Sequence, residues 1–376
     1  MDEAKALGWR VRELRCWRRL TLREAAGLAG LSFSFWGQVE RGEKPVTKRS
    51  TLEAMAGALR VHPNELTAQP WPRRDVRQAD PQADPQVGLE SIEVALERYA
   101  LGVDPELSVR AWPQIADDLE RLLVMHWTGD YAAMGELAPV VLGELHGAYV
   151  RIPHRRPEVL VGLMKAYGSA MWTTKRLSGR GLPSLAARAA QQCAEVLGDP
   201  VWLGYAAYLT GGATGHLDRA GQYRCSVAAA QSLTSQLDSS DALQACGMLH
   251  LSAASAAGAQ ADHDTAATHL EEASALAARM DTEVGSWAHL WFGPTTIGIR
   301  KTDVAVELGE HGQALASARR VHPELLPSAV MQAGFWAEVG RALVAGKKTR
   351  DKGVRVLLHA EQLAPQRIHH DLFVRE

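Results

Sequence analysis

The chain has 376 residues, of which 46% are hydrophobic and 22% charged, and this balance excludes an intrinsically disordered protein. The formal net charge is −2, but residues 1–67 contain 12 Lys and Arg against 8 Asp and Glu, which leaves +4 there and −6 in the remainder. A basic segment joined to a larger acidic one is the distribution that attraction of phosphate groups at one end requires.

Cysteine usage and hydropathy limit the compartment in which the protein works. The four cysteines lie far apart, without a C-x-x-C pair, and we interpret them as buried free thiols rather than as disulfides or zinc ligands. The first residues are charged, and no apolar run approaches the roughly 18 residues that a membrane span needs. We therefore expect a cytoplasmic protein with no membrane partner.

The first predicted element is a helix with an apolar stripe. Leu7, Val11, Leu14 and Trp17 recur at helical spacing, so we expect them to pack on the next two helices. Five arginines occupy the other faces of this helix, namely Arg10, Arg12, Arg15, Arg18 and Arg19.

Two short helices joined by a tight turn are predicted over residues 20–42. Thr21 and Glu24 form a T-x-x-E capping box, in which each side chain accepts a backbone N–H at the start of a helix. Gly30 suits the left-handed position that ends this helix, and Ser32 can cap the next one. The apolar positions predicted to face inward are Leu22, Ala25, Ala26, Ala29, Trp36 and Val39.

A polar loop and two further helices complete this segment. Pro45 lies in the loop over residues 43–50 and prevents a continuous helix there. Pro63 opens a short fifth helix that ends near residues 66–67. The inward positions of the fourth helix are Leu52, Met55, Ala56 and Leu59.

Residues 5–67 resemble the Cro/repressor-type (XRE) helix-turn-helix domains, whose pattern ends in a similar Glu-Arg-Gly, here Glu40-Arg41-Gly42. The resemblance implies a five-helix, lambda-repressor-like DNA-binding domain. In such domains the second helix of the pair enters the major groove, while flanking cations and helix N-termini hold phosphates. The implied partner is a double-stranded DNA operator, and a pair of half-sites implies a homodimer.

The second helix of the pair carries the residues that would read DNA. By the resemblance, Phe33, Ser34 and Gln38 stand at base-contacting positions, and a glutamine can pair with adenine. Phe33 or Phe35 can contact a thymine methyl, or the rings can instead pack against the larger domain or a second subunit. Few polar side chains on this helix can read base edges, which favours recognition through apolar contacts and DNA shape. We assign Trp36 to the core. The predicted DNA-contacting set, including the four cations expected to bind phosphates, is Thr21, Ser32, Phe33, Ser34, Phe35, Gln38, Arg41, Lys44, Lys48 and Arg49.

Apolar periodicity disappears over residues 68–88. Four prolines and a short duplication, Ala-Asp-Pro-Gln at 79–82 and again at 83–86, interrupt this stretch. Such a composition predicts an extended, mobile segment without a helix. We therefore place a Pro-rich linker between two domains here.

From residue 89 to residue 376 the sequence predicts helix after helix, which makes the fold class all-α. Periods of about 35 to 45 residues are typical of an α-solenoid. The five-residue offset of Gly215 from Ala220, and of Gly309 from Ala314, resembles tetratricopeptide (TPR) repeats, which implies a right-handed array. The order of XRE domain, linker and TPR-like array resembles a group of actinobacterial regulators. A lead-in helix at 89–101 precedes predicted pairs at 113–147, 157–197, 201–236, 241–279, 284–320 and 328–363.

The inner surface of such an array binds extended peptides or small molecules. Aromatic and basic side chains on the first helix of each pair are therefore candidate ligand contacts, and core packing is the alternative for each of them. Lys175 and Arg176, near Trp172, could together hold a carboxylate. The predicted ligand-binding set is Trp172, Lys175, Arg176, Tyr205, Tyr208, Trp287, Trp291 and Arg300.

Catalytic motifs are absent from the sequence. It has no H-E-x-x-H and no G-x-S-x-G, and the glycines near residues 340–349 do not have phosphate-loop spacing. We therefore predict no enzymatic activity, no cofactor and no metal site. The leading hypothesis is a nucleoid-associated transcriptional regulator whose TPR-like domain senses a peptide or small-molecule signal and dimerises. The alternative is a TPR adaptor or antitoxin-like protein-interaction module with secondary DNA binding.

Overall fold

The computed structural model describes residues 3–67, 85–177, 181–371 and 373–374, which form two compact units. One unit lies within residues 1–79 and the other within residues 80–374. Helices are the regular elements of these described ranges, in agreement with the predicted all-α class. No helix within the same ranges is long and apolar enough to cross a membrane.

The first unit is built from short helices joined by tight turns. Its helices are α1 Glu3–Trp17, α2 Leu22–Leu28, α3 Phe33–Glu40, α4 Arg49–Leu59 and α5 Pro63–Leu66. Most residues predicted to face inward form the core, and Val11, Trp36, Val39, Met55 and Leu59 are fully buried. Three others, Leu7, Leu22 and Ala29, are only half-buried. Full burial of a large apolar side chain contributes about 1.5–3 kcal/mol, so the fully buried residues stabilise the unit.

Helix α1 packs directly on α3 because Gly8 has no side chain. A Cβ atom at this position would clash with the carbonyl oxygen of Val39. The backbones of the two helices therefore approach closely, with Val11 buried beside the crossing.

The apolar stripe of α1 ends earlier than the sequence predicts. Leu14 is buried, but Trp17 is 74% exposed, so the expectation that Trp17 packs inward is wrong. Arg18 follows Val11 by seven residues, or two helical turns. Its guanidinium donates to the carbonyl oxygen of Arg60. Arg18 therefore continues the inward face, and Trp17 lies beside it on the solvent side.

The second unit begins with a lead-in helix and continues as helix pairs. The lead-in is α6 Pro85–Arg98. The pairs are α7 Trp112–Thr128 with α8 Tyr131–Arg151, α9 Arg156–Arg176 with α10 Leu182–Leu197, α11 Pro200–Thr214 with α12 Arg219–Ser232, α13 Ser240–Ala259 with α14 His263–Ala277, α15 Pro294–Leu308 with α16 His311–Ala318, and α17 Ala329–Val344 with α18 Arg350–Leu363. A short helix, α19 Pro365–His369, follows the last pair.

The lead-in helix starts inside the segment that the sequence analysis assigned to a linker. It begins at Pro85 rather than at residue 89, because proline is well tolerated in the first turn of a helix. Gly88 lies against Gly135 of α8, where a Cβ on either residue would clash with the other chain segment. Residues 68–84 of the predicted linker lie outside the described residues.

One predicted helix start is also displaced. The fifth pair was expected from residue 284, but α15 begins only at Pro294. The residues before it form an irregular loop in which His289 and Trp291 have left-handed φ values of 55° and 54°. This conformation is unfavourable for residues with a Cβ and is incompatible with a continuous α-helix.

The first helices of the pairs form a continuous row. Each contacts the first helix of the next pair, from α7 through α9, α11, α13 and α15 to α17. Helix α17 in turn contacts α7, so that the row closes on itself. The closed row surrounds the interior of the second unit.

The segment after the last pair completes this closure. Gln366 Oε1 of α19 accepts the backbone N–H groups of Tyr131 and Ala132 at 2.9 and 3.2 Å. These N–H groups belong to the first turn of α8 and have no intrahelical acceptor. A Cβ at Gly129 would lie 3.2 Å from the side chain of Val330 in α17. The last elements of the unit therefore cap the first pair.

The four cysteines are free thiols. Cys193 and Cys246 are buried, and burial raises the pKa of Cys193 to about 12. Cys225 is half-buried, whereas Cys16 is exposed on α1. The expectation of buried thiols is therefore wrong for Cys16.

Candidate nucleic-acid interface and candidate ligand site

Local hydrogen bonds fix the start of both helices in the α2–turn–α3 pair. The N–H of Thr21 donates to Glu24 Oε2 at 2.8 Å, and the N–H of Glu24 donates to Thr21 Oγ1 at 3.2 Å. Ser32 Oγ accepts from the N–H of Phe35 at 3.1 Å, and Gly30 takes a left-handed φ of 64° between the helices. The predicted capping box is confirmed, and the hydroxyls of Thr21 and Ser32 serve as helix caps.

Helix α3 is anchored by a carboxylate at its C-terminal end. Arg15 donates to both oxygens of Glu40, with Nε–Oε1 at 2.6 Å and Nη2–Oε2 at 2.9 Å. The indole Nε1 of Trp36 donates to Oε1 of the same carboxylate at 2.7 Å. The side chains of Arg15 and Glu40 are only 13% and 5% exposed, and hydrogen bonding to Glu40 raises the pKa of Arg15. Glu40 therefore joins α3 to α1 and fixes the rotation of α3.

This anchor was not predicted, although the sequence contains a signal for it. Arg15 was expected on an outer face, yet it lies one helical turn after the buried Val11. Glu40 likewise follows Trp36 by four residues, which places both on the same side of α3. Arg15 Nη1 also donates to the carbonyl oxygen of Leu20 at 2.9 Å, which ties down the turn before α2.

The anchored helix presents a mixed apolar and polar face. Phe33 is 56% exposed, and Ser34 beside it is also exposed. Gln38 and Phe35 are half-buried, and Lys44 Nζ lies 5.0 Å from the centroid of the Phe35 ring. Such a cation–π contact holds Lys44 near this face of α3.

Cations lie around the C-terminal end of α3 and the start of α4. Arg41 forms a two-point pair with Glu43 at 2.7 and 2.8 Å, and both side chains are more than half exposed. Lys48 is the N-cap residue of α4 and Arg49 is its first residue, and both are exposed. Gly37 is buried, and a Cβ there would lie 3.2 Å from Arg41 Nη1. A phosphate that reaches Arg41 must compete with Glu43.

The candidate ligand residues of the second unit fall into separate groups, and the first is an aromatic cluster. The ring centroids of Trp202 and Trp287 are 5.0 Å apart, and those of Tyr205 and Trp287 are 6.0 Å apart. Tyr205 is only 5% exposed. This placement favours the core-packing alternative for Tyr205 and Trp287.

Lys175 and Trp172 both contact residues of α11. Lys175 Nζ donates to the carbonyl oxygen of Gly212 near the end of α11 and lies 5.4 Å from the Trp172 ring centroid. Trp172 in turn contacts the Tyr208 ring at a centroid distance of 5.9 Å. Lys175 and Trp172 thus tie α9 to α11.

Arg176 belongs instead to a group of polar side chains that we call the central cluster. Its members are Tyr131, Arg176, Tyr208, Arg300 and Arg367. Burial raises the pKa of Tyr208, and the nearby Arg300 and Arg176 oppose that rise. Burial likewise raises the pKa of Tyr131, opposed by Arg176 and Arg367. Each of the three guanidinium groups therefore lies within electrostatic range of Tyr131 or Tyr208.

Two members of the central cluster were not predicted from the sequence. Tyr131 begins α8, and Arg367 lies in α19 close to the end of the chain. They come together because α19 returns to α8, as the hydrogen bonds of Gln366 show. No local pattern in the sequence indicates such a contact.

The irregular loop before α15 places aromatic side chains beside this cluster. The ring of Trp291 lies 5.3 Å from that of His289 and 6.2 Å from that of Trp127 in α7. Burial lowers the pKa of the adjacent His126 to about 3, and Arg176 and His289 add to that effect. His126 is therefore neutral at physiological pH. Backbone strain of the kind seen at His289 and Trp291 is concentrated at functional sites in proteins.

Comparison with known proteins identifies the first unit. A family model described as a helix-turn-helix domain matches residues 6–69, which include α2 to α5 and most of α1. No curated protein matches the chain. The match lies entirely before the helix pairs. The N-terminal unit is thus a helix-turn-helix domain, and DNA binding is the function that this domain indicates.

Proposed function

We propose that the protein is a sequence-specific transcriptional regulator of the XRE type, located with the nucleoid in the cytoplasm. Its helix pairs form a TPR-like, right-handed solenoid that senses a peptide or small-molecule signal and dimerises. The observation that carries the proposal is the anchored α3 helix, whose exposed face lies beside several cations. The helix-turn-helix match supports DNA as the partner.

In this proposal α3 lies in the major groove of the operator. Gln38 pairs with an adenine, and Phe33 or Phe35 contacts a thymine methyl. Thr21 and Ser32 act by fixing the helix starts. The residues that bind phosphates are Arg41, Lys44, Lys48 and Arg49. Because Gln38 is the only long polar side chain on the exposed face of α3, DNA shape contributes a large share of the specificity.

The second unit regulates this interaction. A homodimer places two reading helices on two half-sites, so the spacing of the two domains determines operator affinity. A signal that binds one arrangement of the array more tightly than another shifts the population and changes that spacing. The closed row of helices supports this role, because its interior is lined from several helices at once.

The proposal is tested by binding to an operator obtained by in vitro selection. Gln38→Ala is expected to weaken binding to the selected operator by about 1–3 kcal/mol and to leave the affinity for random DNA unchanged. Lys48→Ala is expected to weaken both alike, since it removes a phosphate contact. The measurement is fluorescence anisotropy at about 0.15 M salt, where charge attraction is screened.

Gln362→Ala is the matched control, because Gln362 is exposed on α18. It should bind both DNAs as the parent protein does. An equal loss on selected and random DNA for Gln38→Ala would show that Gln38 reads no base. Failure of the selection to enrich any sequence would overturn the proposal of a sequence-specific regulator.

A further inference from the structure

The central cluster contains buried polar atoms without a hydrogen-bond partner. Tyr131 is fully buried, and its Oη has no partner. The Nε atoms of Arg300 and Arg367 are also buried without a partner, and Arg367 as a whole is 8% exposed. Buried polar groups are nearly always hydrogen-bonded in folded proteins, so each exception calls for an explanation. One such explanation is a ligand that supplies the missing hydrogen-bond acceptor.

The guanidinium groups of Arg300 and Arg367 keep donors available despite nearby carboxylates. Asp303 lies 3.2 Å from Nη1 of Arg300, and Asp371 lies 3.3 Å from Nη1 of Arg367. A guanidinium has five N–H donors, so a contact at one terminal nitrogen does not use them all. The donors that remain include the Nε atoms already described. They suit the two-point binding of a carboxylate.

Aromatic side chains next to the cluster supply an apolar wall. Trp127 and Trp291 are half-buried and in contact with each other, and the Nε1 atoms of both are buried without a partner. His126 connects this wall to the cluster, since its ring lies 4.4 Å from that of Trp127 and Arg176 is within electrostatic range of it. Indole faces stack well on planar aromatic groups.

We propose that the central cluster binds a small aromatic carboxylate. The carboxylate accepts hydrogen bonds from Arg300, Arg367 and the Tyr131 hydroxyl, and the ring lies against Trp127 and Trp291. This inference rests on the proposed signal-sensing function and gives the signal a chemical class. It also gives α19 a part in binding, because Arg367 comes to the cluster from that helix.

Isothermal titration calorimetry on the full chain tests the chemical class. The probe is indole-3-acetate, compared with neutral indole-3-acetamide and with inorganic phosphate. We expect the amide to bind at least about tenfold more weakly, because it lacks the charge that strengthens hydrogen bonds from guanidinium groups. We expect phosphate to bind more weakly as well, because it has no ring. Absence of indole-3-acetate binding, or equal binding of either comparison compound, would overturn the proposal.

Two variants test the location. Arg300→Gln is expected to weaken indole-3-acetate binding about tenfold or more, whereas Arg355→Gln, at an exposed position on α18, should leave it unchanged. Tyr131→Phe should also weaken binding but should keep or raise the melting temperature, because it removes a buried hydroxyl without a partner. Parental affinity in both Arg300→Gln and Tyr131→Phe would overturn the assigned location.

A separate titration of the operator distinguishes this inference from the proposed function. Operator affinity is measured with and without saturating indole-3-acetate. A change supports both the site and its sensing role. If the acid binds as predicted but operator affinity stays the same, the site stands and the sensing function is contradicted.

Discussion

The helix-turn-helix unit and the helix array use buried polar groups in opposite ways. The Glu40 carboxylate is held by Arg15 and by the indole of Trp36, so its acceptors are occupied within the unit. In the array, the Tyr131 hydroxyl and the Nε of Arg300 are buried without partners. A satisfied polar group fixes one geometry, whereas an unsatisfied one remains available for another molecule. The first site is therefore a rigid external face, and the second is an interior that a ligand can complete.

Loss of the Glu40 anchor provides the strongest test of this contrast. Glu40→Ala leaves Arg15 nearly buried without its carboxylate, and we expect a loss of about 3–5 kcal/mol in the stability of the first unit. Hydrogen exchange of the α1 and α3 amides in the full chain measures it. Glu43→Ala is the control, because the Glu43–Arg41 pair is exposed and should contribute nothing measurable. Equal protection in both variants would show that the anchor is not needed.

The close approach of α1 to α3 is tested by a smaller change. Gly8→Ala adds a Cβ that clashes with the carbonyl oxygen of Val39, and we expect a destabilisation of about 1–3 kcal/mol. Gly27→Ala is its counterpart, since nothing lies within 4 Å of a Cβ at that exposed position of α2. There alanine should stabilise the helix by up to about 1 kcal/mol. Thermal unfolding and hydrogen exchange are measured for both variants. A change in stability of the same sign in Gly8→Ala and Gly27→Ala would contradict the packing argument.

Buried histidines make the stability of the second unit depend on pH. For one histidine and one pH unit, this is the smallest of the expected effects. Burial lowers the pKa of His126 to about 3 and that of His146 to about 4, from 6.5. The folded-state pKa of each histidine is lower than its unfolded-state value, so the neutral histidine favours the folded state. This contribution to stability is fully present above pH 6.5 and is lost as the pH falls toward the folded-state pKa values. The slope is roughly 1.4 kcal/mol per pH unit for each residue.

The matched variants are His126→Gln and His154→Gln, since His154 is exposed. Urea unfolding between pH 6.5 and pH 4 should show a flatter profile for His126→Gln and the parental profile for His154→Gln. A parental slope in His126→Gln would mean that His126 is already charged in the folded protein.

Features that depend on neighbours in sequence were predictable. The capping box of Thr21 with Glu24 and the cap at Ser32 follow from residue types within one turn of a helix, and the structure has both. Most bounds of the helix pairs were also close, because glycine, proline and apolar periodicity act locally. The linker was predicted too long at Pro85 and Gly88, since proline and glycine occur in linkers and also at helix starts or helix crossings.

Features that depend on distant contacts were not predictable. Arg15 was assigned to an outer face because its partner, Glu40, lies on another helix. The central cluster draws on Tyr131, Arg176, Arg300 and Arg367, and only the folded array brings them together. The predicted pairing of Lys175 with Arg176 was reasonable from adjacency alone. In the structure, Lys175 donates to the carbonyl oxygen of Gly212, and Arg176 lies within electrostatic range of Tyr131.

The hydrogen bonds of Gln366 have a consequence for how the array comes apart. Open repeat arrays end in terminal repeats that lack a neighbour and need special capping sequences. Here the segment after the last pair sits on the first pair, across a separation of 235 residues. Each end shields the other, so unfolding has no free edge from which to spread. The helix pairs are thus expected to lose structure together rather than to peel away one after another.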